Sequence, residues 1–397
     1  MNMADAMVGA RRKILVVLVD RANYGRMKPV MMAINQHPKL ELQVVCAGSM
    51  VLERFGNTMR EVEDDGFKIA GKVFMELEGS IPLSMTKSLG FGIIEFSTEY
   101  AKLEPDIVLL IGDRYEALAA ALAAVYMNLP LAHIQGGEVT GSIDESARHA
   151  ITKLAHWHFP ATERSAHFIH QMGESTERIF MVGCPVGDYI LALSEQPLPG
   201  DIFQAGSGAC IDPDNPFYLI IYHPVTTEFG DERRQVREIL SALAALARPT
   251  VFLWPNIDAG ADHISKELRI FRENRRPNWL RFITNLPPEQ YQRMLKRCQV
   301  AVGNSSSFVR DSTFTGTPVV LVGDRQAGRE TGHNAVTVPV ERQAIIDAIK
   351  MQDEHRRYVT DRLYGDGLAG EKIAEILSQL KPFVQKHLDY INRPEMV

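Results

Sequence analysis

Residues 131–150 read LAHIQGGEVTGSIDESARHA and gather Glu138, Asp144, Glu145, Arg148 and His149 in a short span. Carboxylates beside a guanidinium and an imidazole suit proton transfer, because neighbouring charges tune an acid or base. Asp144 and Arg148, four apart, would share one face of a helix. Yet the first side chain to leave the apolar run is Gln135, an amide with no transferable proton.

A second group, VGNSSSFVRDSTFTG, places Ser305, Ser306 and Ser307 where a strand gives way to a helix. Serines cap such a start, and its free N–H groups and positive dipole end suit a phosphate. Asp311, one to two turns on, can accept bonds from ribose hydroxyls. A plain helix cap is the competing reading. A third group, VGDRQAGRETGHN, sets Arg325, Arg329, Glu330 and His333 after another strand, in an anion-facing loop or on a solvated helical face. Arg21 follows the first strand and would meet a pyrophosphate from the opposite side, and His223 ends the strand before HPVTTE. None of the apolar strand runs ends in G-x-G-x-x-G or G-x-x-x-x-G-K-[ST]. His156 and His158 lack nearby Cys or carboxylate partners, so they read as packing residues rather than metal ligands. No metal is expected at this pair.

Apolar runs of strand length position these groups: KILVVLV, ELQVVCAG, DIVLLIGD and PLAHI, then FYLIIYHP, TVFLWPN, LRFITN, QVAVGNSS and PVVLVGDR. Uninterrupted apolar strands alternating with helices imply parallel sheets covered on both faces. Two blocks of them predict an α/β protein with two Rossmann-like, doubly wound domains facing a cleft. The boundaries expected are a tail at 1–12, a first domain at 13–195, a linker at 196–216, a second domain at 217–375, and a C-terminal helix at 376–397 packing on the first domain. Ligands of open parallel sheets bind beyond the carboxyl ends of the strands. Asp20-Arg21, Asp113-Arg114, Gln135, His223, Asn256, Asn304-Ser305 and Asp324-Arg325 all stand there.

At 397 residues with 45% hydrophobic and 23% charged residues, the chain has the composition of a soluble globular protein. A net charge of -6 gives no electrostatic reason to expect nucleic acid or an anionic membrane as partner. The scattered Cys46, Cys184, Cys210 and Cys298 fit reduced core thiols in the cytoplasm. No apolar run approaches the ~20 residues a spanning helix needs.

GDRYEALA, GGEVTGSIDESARHAITKLAHWH, HPVTTE, WPNIDAG, GNSSS and GDRQAGRETG together resemble the hydrolysing UDP-N-acetylglucosamine 2-epimerases, in order from about residue 13 to 375. The resemblance implies a glycosyltransferase-B type fold with UDP held mainly by the second domain. It further implies a cytoplasmic homodimer or homotetramer of the sialic acid route that releases UDP and N-acetylmannosamine. On the same resemblance, UDP is eliminated to give a 2-acetamidoglucal, which is then hydrated, and no metal or redox cofactor is required. Carried over by position, Asp113, Asp144, Arg148 and His223 fall to the catalytic cleft. Arg21, Asn256, Ser305, Ser306, Asp311 and Arg325 fall to UDP, with Arg114, Ser307, Arg329 and Glu330 in the phosphate loop region. The chain departs from the family pattern at Gln135, usually Glu, at Met50, often His, at Phe308, usually small, and at Asp311, usually Glu. Three readings stay open. Glu138 takes over the lost role; or the pocket serves a 2,4-diacetamido sugar of the legionaminic acid route; or the chain binds or hydrolyses a UDP-sugar without epimerising it.

Overall fold

The computed structural model describes residues 11–56, 58–193, 197–204, 206–387 and 389. Two separate sheets organise the chain. The first has six strands in the order β3-β2-β1-β4-β5-β6, all parallel: β1 (Arg12–Leu18), β2 (Leu40–Ala47), β3 (Ile69–Val73), β4 (Ile107–Ile111), β5 (Leu131–Ile134) and β6 (Trp157–Phe159). The second has seven, in the order β13-β12-β11-β8-β9-β10-β7: β7 (Ser207–Gly208), β8 (Tyr218–Ile221), β9 (Thr250–Leu253), β10 (Leu280–Ile283), β11 (Val300–Gly303), β12 (Val319–Val322) and β13 (Ala335–Val338).

The unbroken apolar runs have a direct cause in the layering. Along β1, Ile14, Val16 and Leu18 enter the core on one face, while Leu15 and Val17 enter that on the other. Along β8, Leu219 and Ile221 face one core, and Tyr218 and Ile220 the other. Full burial of each such aliphatic side chain contributes about 1.5–3 kcal/mol, so no position on these strands can be given to a polar residue cheaply.

Both strand orders reverse direction in mid-sheet, between β1 and β4 in one and between β8 and β11 in the other. Helices leaving such a switch point diverge and open a crevice at the carboxyl ends. Each crevice faces the other. Asp20-Arg21 and Asp113-Arg114 follow β1 and β4, while His223 and Asn304-Ser305 follow β8 and β11.

Three boundaries differ from the sequence reading. Arg12 already pairs within β1 rather than ending a tail. The expected linker is part of the second body: Ile202, Phe203 and Ile211 are buried in its core, and Ser207–Gly208 adds an antiparallel edge to β10. A two-residue strand in a Pro/Gly/Asp-rich segment leaves no apolar signature. The last helix spans Ala369–Gln379, earlier than expected, and it lies against the helix Arg21–Gln36 of the first body. It stops because Lys381 precedes Pro382, whose ring disfavours helical backbone in the residue before it. Residues 380–387 carry no helix but still return to the first body: Phe383 packs edge-on against Trp157, and Lys386 Nζ pairs with Glu174 at 2.7 Å. Residues 390–397 lie outside the described residues.

The chain passes between the bodies near residues 183 and 365, and the passages touch. Cys184 N donates to Tyr364 O at 2.7 Å. Gly183 and Gly365 meet backbone to backbone, each with positive φ, and a Cβ on either would come within 3.0 Å of the other's Cα. Among the described residues no helix is long and apolar enough to cross a membrane.

Candidate active site

A cavity of about 700 Å³ lies between the two switch points. Its first-body wall carries Asp20, Arg21, Arg26, Asp113, Arg114 and Asp144. Its second-body wall carries His223, Asn256, the Ser305–Ser307 run, Asp311 and Arg325.

The serine run forms a capped helix start. Ser305 caps the helix Ser306–Thr315, its side chain accepting from Ser307 N. The helix can start so close to β8 because Gly303 has φ +143°, and a Cβ there would collide with Ile221 O. Asn304 then clamps the neighbouring strand end: its Oδ1 accepts from His223 N at 2.7 Å and its Nδ2 donates to His223 O at 2.8 Å. With its backbone fixed, His223 takes a bond from Asn256 N on Nδ1 at 3.1 Å. Nδ1 is thus an acceptor, so the ring proton sits on Nε2. Burial, with Arg325, Arg21 and Arg114 nearby, holds the ring pKa well below its ordinary value. His223 is a neutral donor, not a cation.

Two carboxylates on the first-body wall are driven apart. Burial alone would raise the pKa of Asp113, but Arg148, Arg329 and Arg26 outweigh it and hold the group well below the usual carboxylate range. Arg148 Nε lies 3.1 Å from Asp113 Oδ2, and its Nη2 also donates there. For Asp144, burial raises the pKa; Arg325 at 3.2 Å offsets part of this, and the Asp113 charge adds to it. One group stays anionic while its neighbour is biased toward carrying a proton, the arrangement by which acid and base roles are separated at one pH.

A rank of buried charge stands behind this wall. Glu138 sits between two guanidiniums from the second body, Arg310 at 2.7 Å and Arg329 at 3.1 Å. Burial opposes its ionisation, yet Arg310, Arg329 and Arg148 keep its pKa low. Arg148, 1% exposed, spends its remaining bonds on Glu138 O and Thr140 Oγ1. Gln135 is wholly buried and also lies behind the cavity. Its backbone is left-handed, with φ +64°.

The sequence reading therefore needs several corrections of place. Arg148, expected in the catalytic cleft, is enclosed and holds Asp113 instead. Glu138, Gln135 and Arg329 are near the site without lining it. Glu330 turns away, its carboxylate meeting Thr162 and lying 3.5 Å from Arg164. Met50 is fully buried in the first core and Phe308 in the second, so neither departure reshapes the cavity wall. His156 bonds Val384 O, and His158 pairs with Glu174; both serve packing. Among the described residues no group of three or more His, Cys, Asp or Glu is placed to hold a metal. Cys46, Cys184 and Cys298 are buried free thiols, whereas Cys210 is exposed rather than core.

Several wall residues escaped sequence reasoning. Arg26 shares a helical face with Ala22 (i, i+4), the small residue that leaves it room, and that spacing was a usable signal. Arg310 stands beside the noted Asp311, four residues after Ser306, whose Oγ it reaches at 2.8 Å. Glu76 lies in an irregular stretch with no periodicity to mark it, and Tyr115 donates to it.

Asp311 has a titration within reach of experiment. Its Oδ2 accepts from Gln292 at 2.7 Å, while Oδ1 is buried without a partner. Burial pushes its pKa up to about 6, against smaller opposing effects of Gln292 and Arg310. Because the folded value lies above the ordinary 3.8, the charged form costs stability above about pH 6, and that cost is relieved as pH falls toward 4. Ligand hydroxyls bound by the carboxylate behave oppositely: their acceptor is lost as pH falls through about 6. Asp311→Asn should flatten this part of the pH dependence of stability between pH 7 and 4, as measured by chemical denaturation. Parallel wild-type and variant curves would refute it.

The two facing doubly wound sheets form a fold of the glycosyltransferase-B type. A structure of Methanocaldococcus jannaschii UDP-GlcNAc 2-epimerase, in complex with UDP-GlcNAc and UDP, superposes with TM-score 0.76 at 17% identity, covering 92% of this chain and 99% of that one. Residues 32–378 match the UDP-N-acetylglucosamine 2-epimerase family, and the chain belongs to it. It is an enzyme, a hydrolysing nucleotide-sugar 2-epimerase. The chain is 34% identical to a UDP-N,N'-diacetylbacillosamine 2-epimerase (hydrolyzing) of Legionella pneumophila, over 93% of its length and 96% of that relative's. It is 29% identical to a UDP-N-acetylglucosamine 2-epimerase of Neisseria meningitidis serogroup B, over 92% and 95%.

Proposed function

We propose that the protein hydrolyses a UDP-linked 2-acetamido sugar with inversion at C2, and that its sugar carries a second acetamido group at C4. The observation that carries the reaction is the pair Asp113 and Asp144, pushed apart in pKa on the wall facing the Ser305–Ser307 helix start. Departure of UDP places oxocarbenium character on C1, which acidifies the C2 proton. Loss of that proton gives the glycal, and water then adds at C1 while C2 is reprotonated from the opposite face. Asp144 takes the C2 proton as UDP leaves and releases it to solvent, and water on the opposite face supplies the proton that returns. Asp113, anionic throughout, balances positive charge on the ring. The serine helix start, Arg21, Arg325 and the Nε2–H of His223 receive the charge growing on the diphosphate, which is the electrostatic part of the rate. Asn256 and Asp311 hold the nucleoside. Arg148 acts through Asp113, keeping it ionised and aimed.

The second acetamido group is supported by the likeness to the Legionella enzyme. It also suits the first-body wall, where Leu77, Ile81 and Met85 offer apolar surface to a sugar with fewer hydroxyls. UDP-N-acetylglucosamine remains the second reading, favoured by the likeness to the Neisseria enzyme. Proton NMR in D2O, with each UDP-sugar in a separate tube, decides between them. Faster UDP release from the 2,4-diacetamido substrate, giving free 2-epimeric sugar deuterated at C2, is the expected result. Faster turnover of UDP-N-acetylglucosamine would replace the first reading by the second. UDP release with retained, undeuterated C2 would overturn the epimerase mechanism.

A further inference from the structure

We propose that Gln135 is a positioning residue that aims the Arg26 guanidinium into the cavity without giving it an ion-pair partner, so that the diphosphate of the bound nucleotide supplies one. This rests on the nucleotide-sugar reading above.

The amide is fixed at both ends. Gln135 Oε1 accepts from Arg26 Nη1 at 2.6 Å, and Nε2 donates to Cys184 Sγ at 2.9 Å. Burial pushes the Cys184 thiol up to about 12, so the sulfur stays neutral and the amide is not offered a charge from that side. Arg26 Nε donates to Ala22 O at 3.1 Å. The guanidinium is 9% exposed, lines the cavity, and has no carboxylate in ion-pair range among the described residues.

Its neighbours are treated differently. Arg114 pairs with Asp258 and Glu116, Arg148 with Asp113, Arg310 with Glu138, and Arg325 with Asp144. Each of those buried cations brings its own counter-ion. Arg26 is held by a neutral group instead, although a carboxylate of the same shape would fit the same bond. Burial disfavours its charge and Arg310 beside it disfavours it further, while Asp20 and Asp113, beyond ion-pair range, offset only part of this. Arg310 in turn reaches Ser306 Oγ at 2.8 Å, which ties the unmatched charge to the anion-facing helix start. A buried cation next to such a start is completed by an anionic ligand, and the bond it then makes is of the stronger, charge-assisted kind.

Position 135 has φ +64°, so Glu or Met there meets the same backbone cost as Gln, and a comparison isolates the side chain. The measurement is UDP affinity by calorimetry at pH 8 for wild type, Gln135→Glu, Gln135→Met and Arg26→Met. Gln135→Glu places a carboxylate on Arg26 and is expected to weaken UDP binding about tenfold or more. Gln135→Met, which removes the bond without adding charge, should weaken it far less. In an Arg26→Met background the loss from Gln135→Glu should vanish, the signature of coupling between the two side chains. Equal losses in the Glu and Met variants, or UDP affinity unchanged in Gln135→Glu, would overturn the inference and leave the proposed function standing. Should Gln135→Glu fail to fold, Arg26→Met decides alone, and undiminished UDP affinity there overturns the inference. A wild-type protein that does not bind UDP at all overturns both.

Discussion

Asp144→Asn removes turnover and spares UDP binding. The amide keeps the size of the carboxyl and can still meet Arg325, whose guanidinium lies 3.2 Å from Asp144 in the native site. What it cannot do is take up and release a proton. Loss of one positioned acid/base group typically lowers a rate by about 10²–10⁴-fold, and here the loss falls on kcat, because elimination is left without its base. UDP release and deuterium entry at C2 should fall together. A variant that still exchanges the C2 proton at the native rate would move the proton-carrying role elsewhere on the wall, with Glu76 the first place to look, since burial raises its pKa too.

Glu138→Ala is the second large effect, and it is one of stability. The carboxylate is the common partner of Arg310 and Arg329, all three less than a tenth exposed. Removing one member of a buried ion pair strands the others, at a cost of about 3–5 kcal/mol. Arg329 would keep only Asp113, at 3.9 Å. Because Glu138 belongs to the first body and both arginines to the second, the loss weakens the closed arrangement specifically. Thermal unfolding should begin several degrees lower, with Glu138→Gln intermediate because it retains hydrogen bonding. An unchanged melting temperature in Glu138→Ala would show that the cluster contributes nothing net.

Much of this site was legible in the sequence because the fold prints it in one place. Apolar strands buried on both faces stand out, and ligands of such sheets gather at their carboxyl ends, so Asp113, His223, Asn256, Ser305 and Arg325 could be named from position alone. Depth was not legible. Asp144 and Arg148 share a helix face, and nothing in their spacing says that one reaches the cavity while the other is enclosed behind Asp113. Helical spacing gives direction around an axis, not distance from the ligand. Nor does a sequence state which charges are already matched. Glu138 looked like a free base, and its arginines lie 172 and 191 positions away, the second figure being 329 minus 138. Short, irregular pieces were missed for a different reason. The β7 edge and the stretch around Glu76 have too few residues, or too little periodicity, to leave a pattern.

The place where Gly183 lies against Gly365 has a mechanical consequence. The two chain crossings between the lobes are pinned together at this one spot, as an axle would be. Neither glycine can take a side chain without wedging that axle apart. Any opening of the jaws therefore has to draw Arg114 from Asp258, Arg310 from Glu138 and Arg325 from Asp144 in one stroke. The arginine that tunes Asp144 is carried on the opposite lobe, so the proton affinity of Asp144 is set by how the two lobes meet.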